Sequence, residues 1–146
     1  GVSVFAPHPG TSVESMESDG WGPGDPVSVA AAGLAEARAK YFDVVIIDPP
    51  AFIKRRKDIP KGQAAYRKLN QQAMQVLARD GFLVSCSCSH HLGLDDLMVT
   101  IQQAARHVDR FVQVVEVGGH APDHPLHPAI AETRYLKSLF CRVVQD

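Results

Sequence analysis

The sequence has little of what a secreted or membrane-bound protein needs. Cys86, Cys88 and Cys141 are the three cysteines, too few and too unevenly spaced for a disulfide framework, so they read as reduced thiols. No apolar run approaches the roughly 18 to 20 residues that span a bilayer, and the N-terminus lacks the basic and apolar blocks of a secretory signal. A cytoplasmic protein with no membrane partner is expected. A cofactor-binding glycine turn is also missing: Gly10, Gly20, Gly22 and Gly24 fall where no strand precedes a Gly-x-Gly and no helix follows. There is no internal repeat. What is present is 146 residues, 45% hydrophobic and 21% charged, ordinary proportions for one globular domain with its own core.

Residues 1–26 hold four of the ten prolines and show no helical or strand period, so they are expected to be a loop or disordered arm. The domain is expected over residues 27–146. Residues 30–40 are alanine-rich and suit a helix. The run Asp43-Val44-Val45-Ile46-Ile47 has no polar alternation, as in a strand covered on both faces. Helical spacing follows at Tyr66, Leu69, Ala73, Val76 and Leu77, with Asp80-Gly81 as its stop, and residues 82–86 suit a second buried strand. Leu94, Leu97, Met98, Ile101, Ala104, Ala105 and Val108 keep a 3.6-residue period, behind Asp95 and Asp96 in a first turn. Strands over 111–117 and 135–144 are joined by a loop containing Pro122, Pro125 and Pro128, as an antiparallel hairpin. The fold class is therefore α/β: a mostly parallel sheet with right-handed crossovers, ending in an antiparallel hairpin.

Ligands of such sheets lie beyond the carboxyl ends of the strands. Two segments occupy that place, Asp48-Pro49-Pro50-Ala51-Phe52 and Ser87-Cys88-Ser89-His90-His91. The two prolines restrict Asp48 to extended geometry and stiffen the loop. Lacking amide protons, they also leave carbonyls as acceptors for an amine on a bound base or cofactor. Cys88 sits where a thiol can be partly exposed, beside hydroxyls and histidines that could assist its deprotonation. Cys86 and Cys141 lie within strand bodies, the place of small core residues. Cys86, Cys88, His90 and His91 are all metal-ligand types, but no second cluster has zinc-like spacing, so no metal is expected. Lys54, Arg55, Arg56, Lys57, Lys61, Arg67 and Lys68 are opposed only by Asp58, in a chain of net charge −1. A solvated helix face and a landing place for a polyanion are both open to such a run.

The ordered set Asp-Pro-Pro-Ala-Phe at 48–52, a basic stretch, Tyr66 with Leu69-Asn70, Ser-Cys-Ser-Cys-Ser-His-His at 85–91, Asp123-His124-Pro125 and Tyr135-Leu136-Lys137 resembles the large-subunit ribosomal RNA cytosine-5 methyltransferases. The resemblance covers roughly residues 27–144. It implies a Rossmann-like class I fold of which this chain is the C-terminal part, with S-adenosylmethionine as cofactor and RNA as partner. It further implies that Cys88 attacks C6 of a flipped-out cytosine, that Asp48 steadies the ring through N3, and that Asp48 and Pro49 face the cofactor. Substrate contacts would come from Pro50, Phe52, Lys54, Arg55, Arg56 and Tyr66, with Phe52 or Tyr66 offering an aromatic surface to the flipped base. No residue is an evident base for the C5 proton. The Gly-rich loop and ribose-binding acid of the family, and its separate RNA-binding domain, are not visible. A truncated domain is the expectation, with a sheet edge left open to self-association.

Two other functions compete. Methyltransferases acting on exocyclic amines use Asn or Asp-Pro-Pro followed at once by an aromatic residue, whereas Ala51 intervenes here before Phe52. A non-catalytic RNA-binding or dimerisation module would keep the fold and bind RNA in a salt-sensitive way, independent of any cofactor.

Overall fold

The computed structural model describes residues 2–5 and 42–145. Its elements are β1 (Val2–Phe5), β2 (Phe42–Ile47), α1 (Ile59–Val76), β3 (Leu77–Ser87), α2 (Leu94–His107), β4 (Phe111–Gly118) and β5 (Lys137–Val144). The strands form one sheet in the order β1-β2-β3-β5-β4. β1, β2 and β3 are parallel, and β5 lies antiparallel between β3 and β4. This is the expected α/β architecture with its antiparallel finish.

Burial explains the elements. In β2, Val45 and Ile47 are buried against the helices while Val44 and Ile46 are half-buried. Pro60 stands in the first turn of α1, where its missing N–H leaves no intrahelical bond unmade. Ala65, Tyr66, Leu69, Ala73 and Met74 then form the helix's core face. α2 buries Leu97, Ile101, Ala104 and Ala105, and the Gly93 N–H donates to the Asp96 carboxylate at 3.3 Å at its start. Both helices join the sheet in one core cluster. On the other face of the sheet, Val44, Ile46, Val84, Cys86 and Phe140 are half-buried and Phe82 is exposed. No helix among the described residues is long and apolar enough to cross a membrane.

Several boundaries differ from expectation. Val2–Phe5 form a strand within the segment expected to be a loop or arm. Four residues are too few to show a period against surrounding proline and glycine, but they can pair with an open strand edge. That pairing covers one edge of β2, and β1 in turn stands at the end of the sheet. The rest of the arm, and the helix expected over 30–40, lie outside the described residues. α1 begins at Ile59, a turn and more before the first expected position, because its early core residues are Gly62 and Ala65 and give little hydrophobic signal. It ends at Val76. Leu77, counted as helical from its spacing, has φ −73° and ψ 139° and pairs with Phe42. Asp80-Gly81 therefore lies in an irregular stretch of β3, between the pairs Phe42–Leu77 and Val44–Phe82, with Asp80 in left-handed geometry at φ 61°. The last strand begins at Lys137 rather than Tyr135.

The topology gathers four chain segments at one end of the sheet. β2 and β3 both run out there, Lys137 opens β5 opposite Ser87, and Gly118 closes β4 opposite Ser138. The 119–136 connection consequently hangs from the same end as Asp48 and Cys88.

Candidate active site

Leaving β2, the chain exposes Asp48, buries Pro49, exposes Pro50 and then turns inward to bury Phe52 and Ile53. Leaving β3, it carries Cys88 half-buried, its thiol directed at the Pro49 carbonyl with sulfur and oxygen 4.0 Å apart. The two loops expected to share chemistry thus meet. Cys86 lies two residues back, on the same side of the strand by its period of two. Burial, and after it the Asp48 charge, push the Cys86 thiol up to about 11. Between these thiols, only Cys88 stands at the strand end against the Asp-Pro-Pro loop.

On the opposite side of β3, Ser85, Ser87 and Ser89 are fully buried. The Ser87 hydroxyl donates to the Tyr66 hydroxyl at 3.0 Å, and the Tyr66 and Ser89 hydroxyls share a bond of 2.9 Å. The Ser89 N–H donates to Ser87 Oγ at 3.2 Å, and the Ile53 N–H to Ser89 Oγ at 3.2 Å. This network clamps the loop after β2 to the turn after β3 through a residue of α1. Burial pushes the Tyr66 hydroxyl up from the ordinary phenol range, while its bonds to Ser87 and Ser89 pull it down.

Two expectations are corrected here. Tyr66 has no exposed surface and Phe52 only 5%, their rings 4.7 Å apart and tilted by 49°, so neither presents a free face on which a base could stack. Both belong to the core because the hydroxyl of Tyr66 finds its partners inside. The serine hydroxyls beside Cys88 are likewise committed to Tyr66 and the backbone rather than to the thiol. His90 is exposed and lies edge-on to His91, with ring centroids 5.2 Å apart.

The sequence pattern assigns no role to Lys137, the last residue of Tyr135-Leu136-Lys137. It is 8% exposed, and its Nζ donates to the Ser89 carbonyl at 2.6 Å and the Leu92 carbonyl at 2.5 Å. The signal was available in the sequence, since Lys137 falls in phase with the buried Leu139, Cys141 and Val143 of β5. A lysine on the core side of a strand is rare without a partner.

Lys54, Arg55, Arg56 and Lys57 are exposed on the connection from the Asp-Pro-Pro loop into α1. Arg55 Nε pairs with Asp58 Oδ2 at 3.0 Å. In the 119–136 connection, His120 packs edge-on to Tyr135 with centroids 4.6 Å apart, and His124 Nδ1 lies 3.3 Å from Asp123 Oδ1. Among the described residues no group of three or more His, Cys, Asp or Glu side chains is placed to hold a metal ion.

No family model matches the chain. It is similar to the ribosomal RNA large subunit methyltransferase I of Pseudoalteromonas atlantica, with 34% identity over 109 residues, 75% of this chain and 28% of that protein. The enzyme of the same name from Photobacterium profundum is 38% identical over 106 residues, 73% of this chain and 27% of that one. The chain therefore spans little more than a quarter of the length of the curated relatives it matches. Among solved structures, a methyltransferase complexed with SAH superposes with a TM-score of 0.62 at 19% identity, over 76% of this chain and 29% of that one. A SAM-dependent methyltransferase from Streptococcus mutans gives 0.62 at 18% identity, over 76% and 28%. Over the part that superposes, this chain shares its α/β fold with these methyltransferase structures.

Proposed function

We propose that this chain is the C-terminal part of a cytoplasmic RNA methyltransferase that uses S-adenosylmethionine to modify large-subunit ribosomal RNA at cytosine C5 through Cys88. The observation that carries this reading is the convergence of Cys88 on the Pro49 carbonyl, with the Asp48 charge acting on the same strand end. A methyltransferase of exocyclic amines needs no thiol there. The names and identities of the relatives support an RNA substrate.

The S-adenosylmethionine group would supply the methyl. The residues present fit one side of its site: Asp48 offers an exposed carboxylate and Pro49 a carbonyl already facing the reacting thiol. Apart from removal of the C5 proton, the remaining steps fall to this chain's side chains and the cytosine itself. The Cys88 thiolate forms a bond to C6 of the flipped cytosine, and the C5–C6 π pair moves to C5, which becomes the nucleophile. Asp48 holds the ring at N3 across a shared proton, because the carboxylate and N3 are both acceptors. After methyl transfer, a base removes the C5 proton, the C5–H pair restores the double bond, and the C6–S bond breaks to return the thiolate. Pro50 and the exposed Lys54, Arg55 and Arg56 would flank the incoming strand, their charge meeting its phosphates.

A 5-fluorocytidine RNA blocks the proton-removal step, so it should trap a denaturation-stable adduct. The test uses this chain, and the same segment grafted into a curated relative in place of its own. Adduct formation lost in Cys88→Ala is expected. Methylation that persists in Cys88→Ala would overturn the covalent mechanism and favour the amine reading.

A further inference from the structure

We propose that Lys137 is a positioning residue for Cys88: its buried ammonium, fixed on the Ser89 and Leu92 carbonyls, locks the turn that follows the thiol and places a positive charge at that strand end. The proposal rests on Cys88 as the reactive group.

Three observations converge. First, the register of β3 and β5 sets Lys137 opposite Ser87, the residue before Cys88, so the lysine enters the turn from the neighbouring strand at its base. Second, its two bonds bracket the turn. The Ser89 carbonyl also accepts the Leu92 N–H at 3.1 Å, and Lys137 reaches both ends of that same loop, Ser89 and Leu92. Carbonyl oxygens that would otherwise point into a buried space receive a charged donor, which binds more strongly than a neutral one.

Third, the ammonium has an unusual set of partners. Burying a cation is costly unless it is paired, yet among the described residues Lys137 bonds to two carbonyls and to no carboxylate. These contacts use two of its three donors. Burial lowers its pKa, and the charge that acts the other way is that of Cys88. A lysine that merely filled space would need only its methylenes, and a neutral hydrophobe in phase with Leu139 and Cys141 would serve better.

The test reads the Lys137–Cys88 link without RNA or cofactor, so it can fail while the methyltransferase reading stands, and the reverse. Alkylation by iodoacetamide is followed at each cysteine by peptide mass spectrometry across pH, with Cys86 and Cys141 as internal references. In Lys137→Met, the Cys88 rate at neutral pH should fall about tenfold and its profile move up by about one pH unit, the equivalent of one charge contact. Lys137→Arg keeps the charge and should stay within about threefold of the parent. A Met variant with native circular dichroism whose Cys88 rate stays within about twofold of the parent overturns the proposal. Should Lys137→Met fail to fold, the unmutated protein decides. The Lys137 ¹⁵Nζ resonance is titrated before and after Cys88 is capped with neutral carbamidomethyl. A lower midpoint after capping is expected, and an unchanged midpoint overturns the link.

Discussion

The Tyr66 hydroxyl stands 2.9 Å from the Ser89 hydroxyl, deep in the core, and thereby ties a helix to the turn just past Cys88. With Ser87 at 3.0 Å on its other side, one phenol holds both residues that flank the thiol. Tyr66→Phe keeps the ring packing but strips the two serines of their partner. The expected loss is about 1–3 kcal/mol, the cost of leaving buried polar groups unmade. Urea unfolding of the variant against the parent measures it. An unchanged midpoint would mean that the serines find other partners.

The cysteines should separate by pH. Cys86 and Cys141 are both pushed up to about 11, in each case chiefly by burial, from an ordinary value near 9.0. For a thiol whose folded value is raised, the unfolded chain releases its proton first as pH rises. The contribution to stability is present below about 9 and is lost as pH climbs toward 11. Thermal unfolding from pH 8 to 11 should show a falling midpoint, smaller in Cys141→Ala. An equal fall in that variant would remove Cys141 as a cause.

Gly62 lies where the loop after β2 crosses α1, and a Cβ built there would overlap Ile53 Cγ1. Helix propensity alone would make Gly62→Ala stabilising by about 1 kcal/mol. Overpacking against buried Ile53 costs about 1–3 kcal/mol and should win. The variant is thus expected to melt lower than the parent, and a higher midpoint would show that Ile53 gives way freely.

RNA binding should depend on the exposed cations beside the Asp-Pro-Pro loop. Replacing Lys54, Arg55 and Arg56 by alanine is expected to weaken binding uniformly across sequences and to flatten the log–log salt dependence by about 0.7 per lost phosphate contact on single strands. Fluorescence anisotropy over a salt series reads it. An identical slope in the triple variant would assign the basic run to a solvated face.

Much of the site's location was legible. β2 and β3 were visible as apolar runs, so the ends carrying Asp48 and Cys88 followed from the rule for open sheets. The roles of neighbouring aromatics were not legible. Tyr66 and Phe52 have composition and position suited to stacking, and only packing shows them turned inward. The start of α1 was hidden because small residues such as Gly62 and Ala65 can form a core face without a hydrophobic period. The stop at Asp80-Gly81 misled for a similar reason, since left-handed geometry serves an irregular strand as well as a helix end.

Apart from β1, the sequence by itself determined which described segments are strands and helices, because period and β-branching act locally along the chain, and it placed the Cys88 thiol on a strand end. Tertiary structure alone decided which side chains surround that thiol. Only strand register brings Lys137 opposite Ser87, fifty positions away, and only the packing of α1 under β3 spends the Tyr66 hydroxyl on Ser87 and Ser89. Contacts between residues distant in sequence depend on burial and hydrogen-bond satisfaction across elements, and no local pattern encodes them.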